Sequence, residues 1–268
     1  MNVLEEKCIA VIGVGNIGRI WVKRLVETGF PPESIFVSDV DAARMEAVVK
    51  EFGVCAADLH NASFPHADIL LIATSPKSVR SVLHTLADHL QPGQIVISLA
   101  AAVSLEQLEA WVPAEVSVIR VMPNAPSIVG EGMNPVAYGR TIPRQARELV
   151  EVLLGIMGQT LEVQDDQMNW CVGLSGAAMR SLVPVLEGLT KAGMDAGLSD
   201  RQARRVAAQV MLGTAKLVLQ TDLTWEEIKT LTPMQTVDEV KVMELFYDAA
   251  RTARETIEGV QRKLQEMP

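Results

Sequence analysis

The sequence is poor in aromatic residues (4%), holds only three cysteines and four histidines, and carries fewer basic than acidic side chains. Each shortage excludes something. Cys8, Cys55 and Cys171 are scattered, odd in number and form no C-x-x-C pair, so they read as three buried or idle thiols. His60, His66, His84 and His89 show no metal-site spacing, no metal is expected, and His84 and His89 read as surface residues of an amphipathic helix. A net charge of −9 argues against a nucleic-acid or anionic-membrane partner. No uninterrupted apolar run is long enough to cross a bilayer. Met1 to Lys7 is acidic and the apolar stretch after it reads as a strand, so no signal peptide and a cytoplasmic location are expected. At 268 residues, 49% of them hydrophobic, the chain has length for one large or two ordinary domains.

What is present begins at residue 9. Ile9-Ala-Val-Ile-Gly-Val-Gly-Asn-Ile-Gly18 is an apolar strand running into a G-x-G-x-x-G turn. In such a turn Gly13 makes the tight bend, Gly15 clears space for a dinucleotide pyrophosphate, and Gly18 lets the next helix pack on the strand. That helix is expected from about Arg19 to Glu27, ending at Gly29. Its free N–H groups would face the anion. A second strand, Ser34–Ser38, delivers Asp39 at its end, 21 residues after Gly18, a spacing that suits a carboxylate accepting from the adenosine ribose hydroxyls. Asp39 and Asp41 would repel a 2′-phosphate, so NAD(H) is expected over NADP(H), with Arg44 the side chain able to fold back onto such a phosphate.

Further strands are expected at Ile69–Ala73, Ile95–Ser98 and Val116–Ile119, with helical spacing in Ala42–Phe52, Lys77–Leu90 and Ser104–Trp111. Near-continuous Ile/Val runs suit strands buried on both faces of a parallel sheet. Met133–Tyr138 and the helix Arg144–Met157 complete this half. From about residue 165 the pattern is helical only. Ser175–Gly197 carries Leu182, Leu186, Leu189 and Gly193 at helical spacing, with Pro184 bending it unless it falls in the first turn. Ser199-Asp-Arg-Gln202 reads as a capping box opening a helix with Val206, Val210, Gly213 and Leu217 on one stripe, and a last helix runs from about Asp238 to Leu264. These faces exceed what one small helical domain can bury, so a homodimer or a higher multiple is expected. The fold class is α/β: a Rossmann-type, doubly wound parallel sheet over residues 1–162, and an all-α dimerisation domain over residues 163–268.

Arg120-Val-Met-Pro-Asn-Ala-Pro126, followed by Val129-Gly-Glu-Gly-Met133, resembles the pyrroline-5-carboxylate reductase family, enzymes that reduce a cyclic imine to proline with NAD(P)H. The resemblance covers nearly the whole chain. It includes Ser98-Leu-Ala-Ala-Ala-Val-Ser104, similar to the family's S-x-A-A-G-x-S, and Leu174-Ser-Gly176, Ala192-Gly-Met-Asp-Ala-Gly-Leu198 and Leu212-Gly-Thr-Ala-Lys216. It implies an active site between the cofactor and the helices of a partner subunit. Cofactor contacts are expected from Gly13, Gly15, Asn16, Ile17, Gly18, Asp39, Thr74, Ser75, Pro76, Ala100 and Asn124. Catalytic contacts are expected from Asn124, Arg180, Glu187 and Thr236, with an imino acid as substrate. Asn124 stands in a rigid loop that either offers its amide to nicotinamide or substrate or serves structure alone.

The departures fall on the substrate side. The family's Ser-Gly-Ser-Gly-Pro-Ala-Tyr reads Ser175-Gly-Ala-Ala-Met-Arg-Ser181, and its T-S-P-G-G-x-T loop reads Thr232-Pro-Met-Gln-Thr-Val237. Two glycines are thus Met234 and Gln235, and a hydroxyl is Val237, while Thr236 survives. The family's V-K-P-Q is Thr74-Ser-Pro-Lys77, and Glu187 matches an acidic position. Arg180 is either a carboxylate clamp or a surface or interface arginine. The function expected is reduction of a cyclic imine, with weak or absent turnover of pyrroline-5-carboxylate itself. The alternatives are a non-catalytic nucleotide-sensing relative, or a reductase of another imino or keto acid.

Overall fold

The structure, a computed structural model, describes residues 4, 6–61 and 66–266. They form two compact units: one runs to Gly176 and resumes at Thr252, the other spans Ala177–Arg251.

The first unit is built on an eight-stranded sheet of order β3-β2-β1-β4-β5-β6-β7-β8. Its strands are β1 (Ile9–Ile12), β2 (Ile35–Ser38), β3 (Cys55–Ala56), β4 (Ile69–Ile72), β5 (Ile95–Ser98), β6 (Ser117–Val121), β7 (Gly132–Tyr138) and β8 (Gly158–Glu162). From β3 through β6 all neighbours are parallel, with Ile9 opposite both Ile35 and Ile69. Every residue of β1, β4 and β5 is buried, as expected for strands covered on both faces. The helices on the two faces are α1 (Asn16–Glu27), α2 (Ala42–Phe52), α3 (Pro76–Leu86), α4 (Leu105–Ala110) and α5 (Arg144–Gly155). α1 packs Trp21, Val22 and Leu25 against one face, and α3 packs Val79, Leu83 and Leu86 against the other.

Several boundaries differ from the sequence reading. α1 starts at Asn16 rather than Arg19, because Gly15 takes the extended N-cap conformation and no capping side chain is needed. α3 starts at Pro76 and ends at Leu86, giving way to a 3₁₀ turn at Ala87–His89. β7 runs antiparallel to β6, so the sheet is parallel only in its larger part. β3 and β8 carry no apolar signal. β8 reads Gly-Gln-Thr-Leu-Glu, is mostly exposed, and exists through its pairing with β7. Gly158, at φ +129°, permits that pairing, since a Cβ there would stand 2.3 Å from the Gly132 carbonyl oxygen.

The helical run placed at Ser175–Gly197 begins earlier. α6 (Met168–Cys171) passes through a π-helical segment, Val172–Ala177, into α7 (Ala178–Asp195). Pro184 lies inside α7, so residue 184 donates no backbone bond to the Arg180 carbonyl. In the second unit α7 packs on α8 (Asp200–Gln220), followed by α9 (Trp225–Thr230); α10 (Glu239–Gln265) contributes to both units. The Ser199 and Gln202 capping box forms as read. Gly193 lets the two helices close, since a Cβ there would meet the Ala203 Cβ at 2.9 Å. Ala203 and Ala207 are buried in this contact, whereas Val206 and Val210 on the sequence-read stripe stay 55% and 56% exposed. No helix among the described residues is long and apolar enough to cross a membrane.

Candidate functional site

The strand order reverses at β1, with β2 on one side and β4 on the other. Loops leaving the carboxyl ends of β1 and β4 diverge there and open a crevice. A cavity of about 750 Å³ occupies it, lined by Gly13, Gly15, Asp39, Arg44, Thr74 and Ser75, with Ser78, Ser81 and Thr85 of α3 along one wall.

The three glycines have separate tasks. Gly13 sits at φ +91°, and a Cβ there would lie 2.8 Å from the Ala73 carbonyl oxygen. A Cβ on Gly18 would fall 1.9 Å from the Gly13 carbonyl oxygen, so this glycine lets α1 settle on the turn. A Cβ on Gly15 would meet no atom within 4 Å. It would project into the space a pyrophosphate needs. Neither Gly15 nor Ser75, the N-caps of α1 and α3, closes its helix with a side-chain bond. Two helix N-termini therefore keep N–H groups for an anion. The Thr74 hydroxyl is buried and has no partner among the described residues. These features fit a dinucleotide.

Asp39 is held firmly. One carboxylate oxygen accepts from the Val14 N–H at 2.8 Å and the other from the Asp41 N–H at 2.9 Å. The Arg44 guanidinium lies 3.5 Å from both oxygens and 3.1 Å from the Asp41 carboxylate. The remaining expected cofactor residues have other surroundings. Asn16 is exposed in the first turn of α1, Ile17 packs against the core, Pro76 opens α3, and Ala100 is buried in the loop after β5. In that same loop Ala102 is the one non-glycine residue at positive φ (+67°) among those described, at the position of the glycine in S-x-A-A-G-x-S.

Asn124 lies outside the cavity lining and is 8% exposed. Its Nδ2 donates to the Ser175 carbonyl at 3.3 Å, and its Oδ1 accepts from the Met133 N–H at 3.2 Å. One donor and one acceptor site remain for a ligand. Ser175, whose hydroxyl donates to the Cys171 carbonyl, stands in the π-helical segment, an irregularity frequent at functional sites. Arg120 anchors the other end of this stretch through an ion pair with Asp165 at 2.5 Å, and Asp165 also accepts from the Leu105 N–H. The Arg120 Nε and Nη2 are buried without partners among the described residues. Sequence reasoning missed Ser175 and the Arg120–Asp165 pair as ties, because neither partner's position is signalled locally.

Arg180, Glu187 and Thr236 belong to the helical unit and are exposed there. Arg180 and Glu187 lie seven residues apart on α7, on one face, and Thr236 lies in the loop between α9 and α10. Met234 and Val237 of that loop are 76% and 57% exposed. Among the described residues no group of His, Cys, Asp or Glu is arranged to hold a metal ion.

Residues 8–102 match the family model described as NADP oxidoreductase coenzyme F420-dependent, and residues 165–256 match that described as pyrroline-5-carboxylate reductase dimerisation. The chain is 32% identical over 218 residues to the pyrroline-5-carboxylate reductase of Haemophilus influenzae, covering 81% of this chain and 80% of that protein. Among solved structures, a pyrroline-5-carboxylate reductase from Coxiella burnetii superposes with a TM-score of 0.78 at 25% identity, over 94% of this chain and 98% of the other. A pyrroline carboxylate reductase from Plasmodium falciparum with NADP bound gives a TM-score of 0.79 at 20% identity, over 96% and 99% of the two chains, a likeness of fold.

Proposed function

The chain belongs to the pyrroline-5-carboxylate reductase family, and on that premise we propose an NAD(P)H-dependent reductase of the C=N bond of a cyclic imino acid. The single observation that carries this reading is the cavity at the β1/β4 switch point. There Gly15 leaves open space, two uncapped helix N-termini converge and the Thr74 hydroxyl lacks a partner among the described residues.

When bound, the dinucleotide supplies a hydride to the imine carbon, and a charged iminium accepts hydride readily. The chain's own work is placement. Gly13 to Gly18 and the N-terminus of α1 take the pyrophosphate, and Asp39 takes the ribose hydroxyls. Asn124 fixes the loop after β6 against Met133 and Ser175. No strong general base is needed for that transfer.

NAD(H) is the preferred cofactor in this proposal. Asp39 and Asp41 present two carboxylates where a 2′-phosphate would lie, and Arg44 is committed to both. The exposed apolar faces of α7, α8 and α10, together with the dimerisation family match, support a homodimer or a multiple of one. Turnover of pyrroline-5-carboxylate is proposed to be weak or absent, since Met234 and Gln235 replace a glycine pair whose bare backbone approaches an anion.

The test is oxidation of NADH and NADPH over a panel of cyclic imino acids and keto acids. Activity with a cyclic imine supports the proposal. Binding of NADH without turnover of any imine overturns the reductase and favours a nucleotide sensor.

A further inference from the structure

α1 begins at the dinucleotide cavity and packs along the 3₁₀ turn Ala125–Val129, whose N-cap is Asn124. Arg24 of α1 stands eight residues beyond Asn16, roughly 12 Å along the helix axis. Its Nε and Nη2 both donate to the carbonyl of Ile156, the C-cap of α5, at 3.1 and 3.0 Å. A cation on the last carbonyls of a helix is favourable on charge alone. This guanidinium also lies against the bare face of Gly130, where a Cβ would stand 2.7 Å from Nη2. Gly130 closes the 3₁₀ turn at φ +76°, and its N–H donates to the Ser127 carbonyl at 3.0 Å. Just beyond, the Gly132 N–H donates to the Met157 carbonyl at 3.0 Å, and the Met133 N–H donates to the Asn124 Oδ1 at 3.2 Å. One side chain of α1 therefore holds the end of α5 and the turn that frames Asn124 together. The remaining Nη1 lies 3.5 Å from Glu27 of its own helix, and the side chain is 18% exposed.

We propose that Arg24 is a positioning residue: it clamps the loop that carries Asn124 to the dinucleotide helix, so that an anion on the N-terminus of α1 steadies that loop. An anion settling on the first-turn N–H groups, Asn16 to Gly18, orders that end of α1. The helix carries this order along its axis, and Arg24 passes it to Gly130 and the Ile156 carbonyl. Order that two sites share is lost only once, so binding at one lowers the cost of ordering the other, and the coupling is reciprocal. The coupling rests on the cofactor reading; the clamp itself does not.

The test is hydrogen exchange of the full chain, read by mass spectrometry, without ligand and with ADP-ribose. ADP-ribose carries adenosine, pyrophosphate and ribose but no nicotinamide, so it has no ring to lay against Asn124. Arg24→Met keeps an apolar stem and removes the donors, whereas Arg24→Lys keeps a cation. Without ligand, Arg24→Met speeds exchange over residues 127–133 at least about tenfold, while Ile9–Ile12, which reports global opening, changes by less than about threefold. ADP-ribose slows exchange at Asn16–Gly18 in both proteins. In the parent it also slows residues 127–133 at least about threefold, and in Arg24→Met it does not. Arg24→Lys recovers part of this transmitted protection, which a loss of stability alone would not follow. Equal acceleration of the two segments would make Arg24 a contributor to stability only and overturn the proposal. So would transmitted protection that persists in Arg24→Met, or that is missing from a parent protected at Asn16–Gly18. A failure of the cofactor reading shows separately, as unchanged exchange at Asn16–Gly18 in the parent; the ligand-free comparison then decides the clamp by itself.

Discussion

The guanidinium of Arg44 lies 3.5 Å from both carboxylate oxygens of Asp39, while those oxygens accept backbone N–H bonds from Val14 and Asp41. An acid at the end of β2 is thereby locked in orientation on three sides and left 5% exposed. It faces the cavity with lone pairs still available to hydroxyls.

Asp39→Ser should move the ratio of kcat/KM for NADPH over NADH by about tenfold or more toward NADPH, the equivalent of about 1.4 kcal/mol. It removes one repulsive charge and frees Arg44 for the phosphate. Steady-state kinetics with both cofactors read it out. A parent enzyme that already prefers NADPH would contradict the proposed role of Asp39.

Two glycines three residues apart should fail differently. Gly15 has φ −65° and open space around its missing Cβ, so Gly15→Leu should fold normally and lose dinucleotide binding. Gly18→Ala drives a methyl into the Gly13 carbonyl and should destabilise the protein by about 2 kcal/mol or more. Thermal melts beside NADH titrations separate the two effects.

Asp68 should give the protein an acid-sensitive limb. Partial burial pushes its carboxyl up, but hydrogen bonds from Lys7 (2.8 Å) and the Cys8 N–H (2.9 Å) outweigh this and hold it below the usual carboxylate range. A depressed folded-state pKa stabilises above the unfolded value of about 3.9, and that stability is lost as pH falls through the folded value. Urea midpoints measured from neutral pH downward should therefore fall less steeply in Asp68→Asn. Equal slopes for the two proteins would contradict the assignment.

Val210→Glu should impair assembly. Val210 is 56% exposed in one chain, on a stripe with Val206, itself 55% exposed. Sedimentation at micromolar concentration should show a multiple of the chain mass for the parent and a shift toward the monomer for the variant. A stable parent monomer would remove the basis for an obligate dimer.

Loss of even two hydrogen bonds to a buried substrate carboxylate costs about 3 to 6 kcal/mol, or roughly two to four decades in rate. Weak or absent reduction of pyrroline-5-carboxylate is therefore expected, with Arg180 the visible compensation in the helical unit. Efficient turnover that survives Arg180→Ala would show the Met234–Gln235 loop to be harmless. Efficient turnover that Arg180→Ala abolishes would make the arginine the carboxylate clamp.

The elements legible in the sequence are those fixed by neighbours a few residues away. The G-x-G-x-x-G turn, the Ile/Val runs of β1, β4 and β5, the limits of α2, and the box Ser199/Gln202 all follow from local periodicity or capping. Tertiary structure decided what depends on a distant partner. β8 has no apolar pattern and is a strand because β7 supplies its hydrogen bonds; β7 itself turned antiparallel on β6. Asn124 was readable as a polar residue in a rigid loop, but its commitment to Ser175, 51 residues away, was not. Ala102 was readable as a near match to a glycine, yet only the folded loop holds it at φ +67°. Spacing along the chain reports forces that act within a turn or a strand; bonds that close loops of tens of residues leave no such period behind.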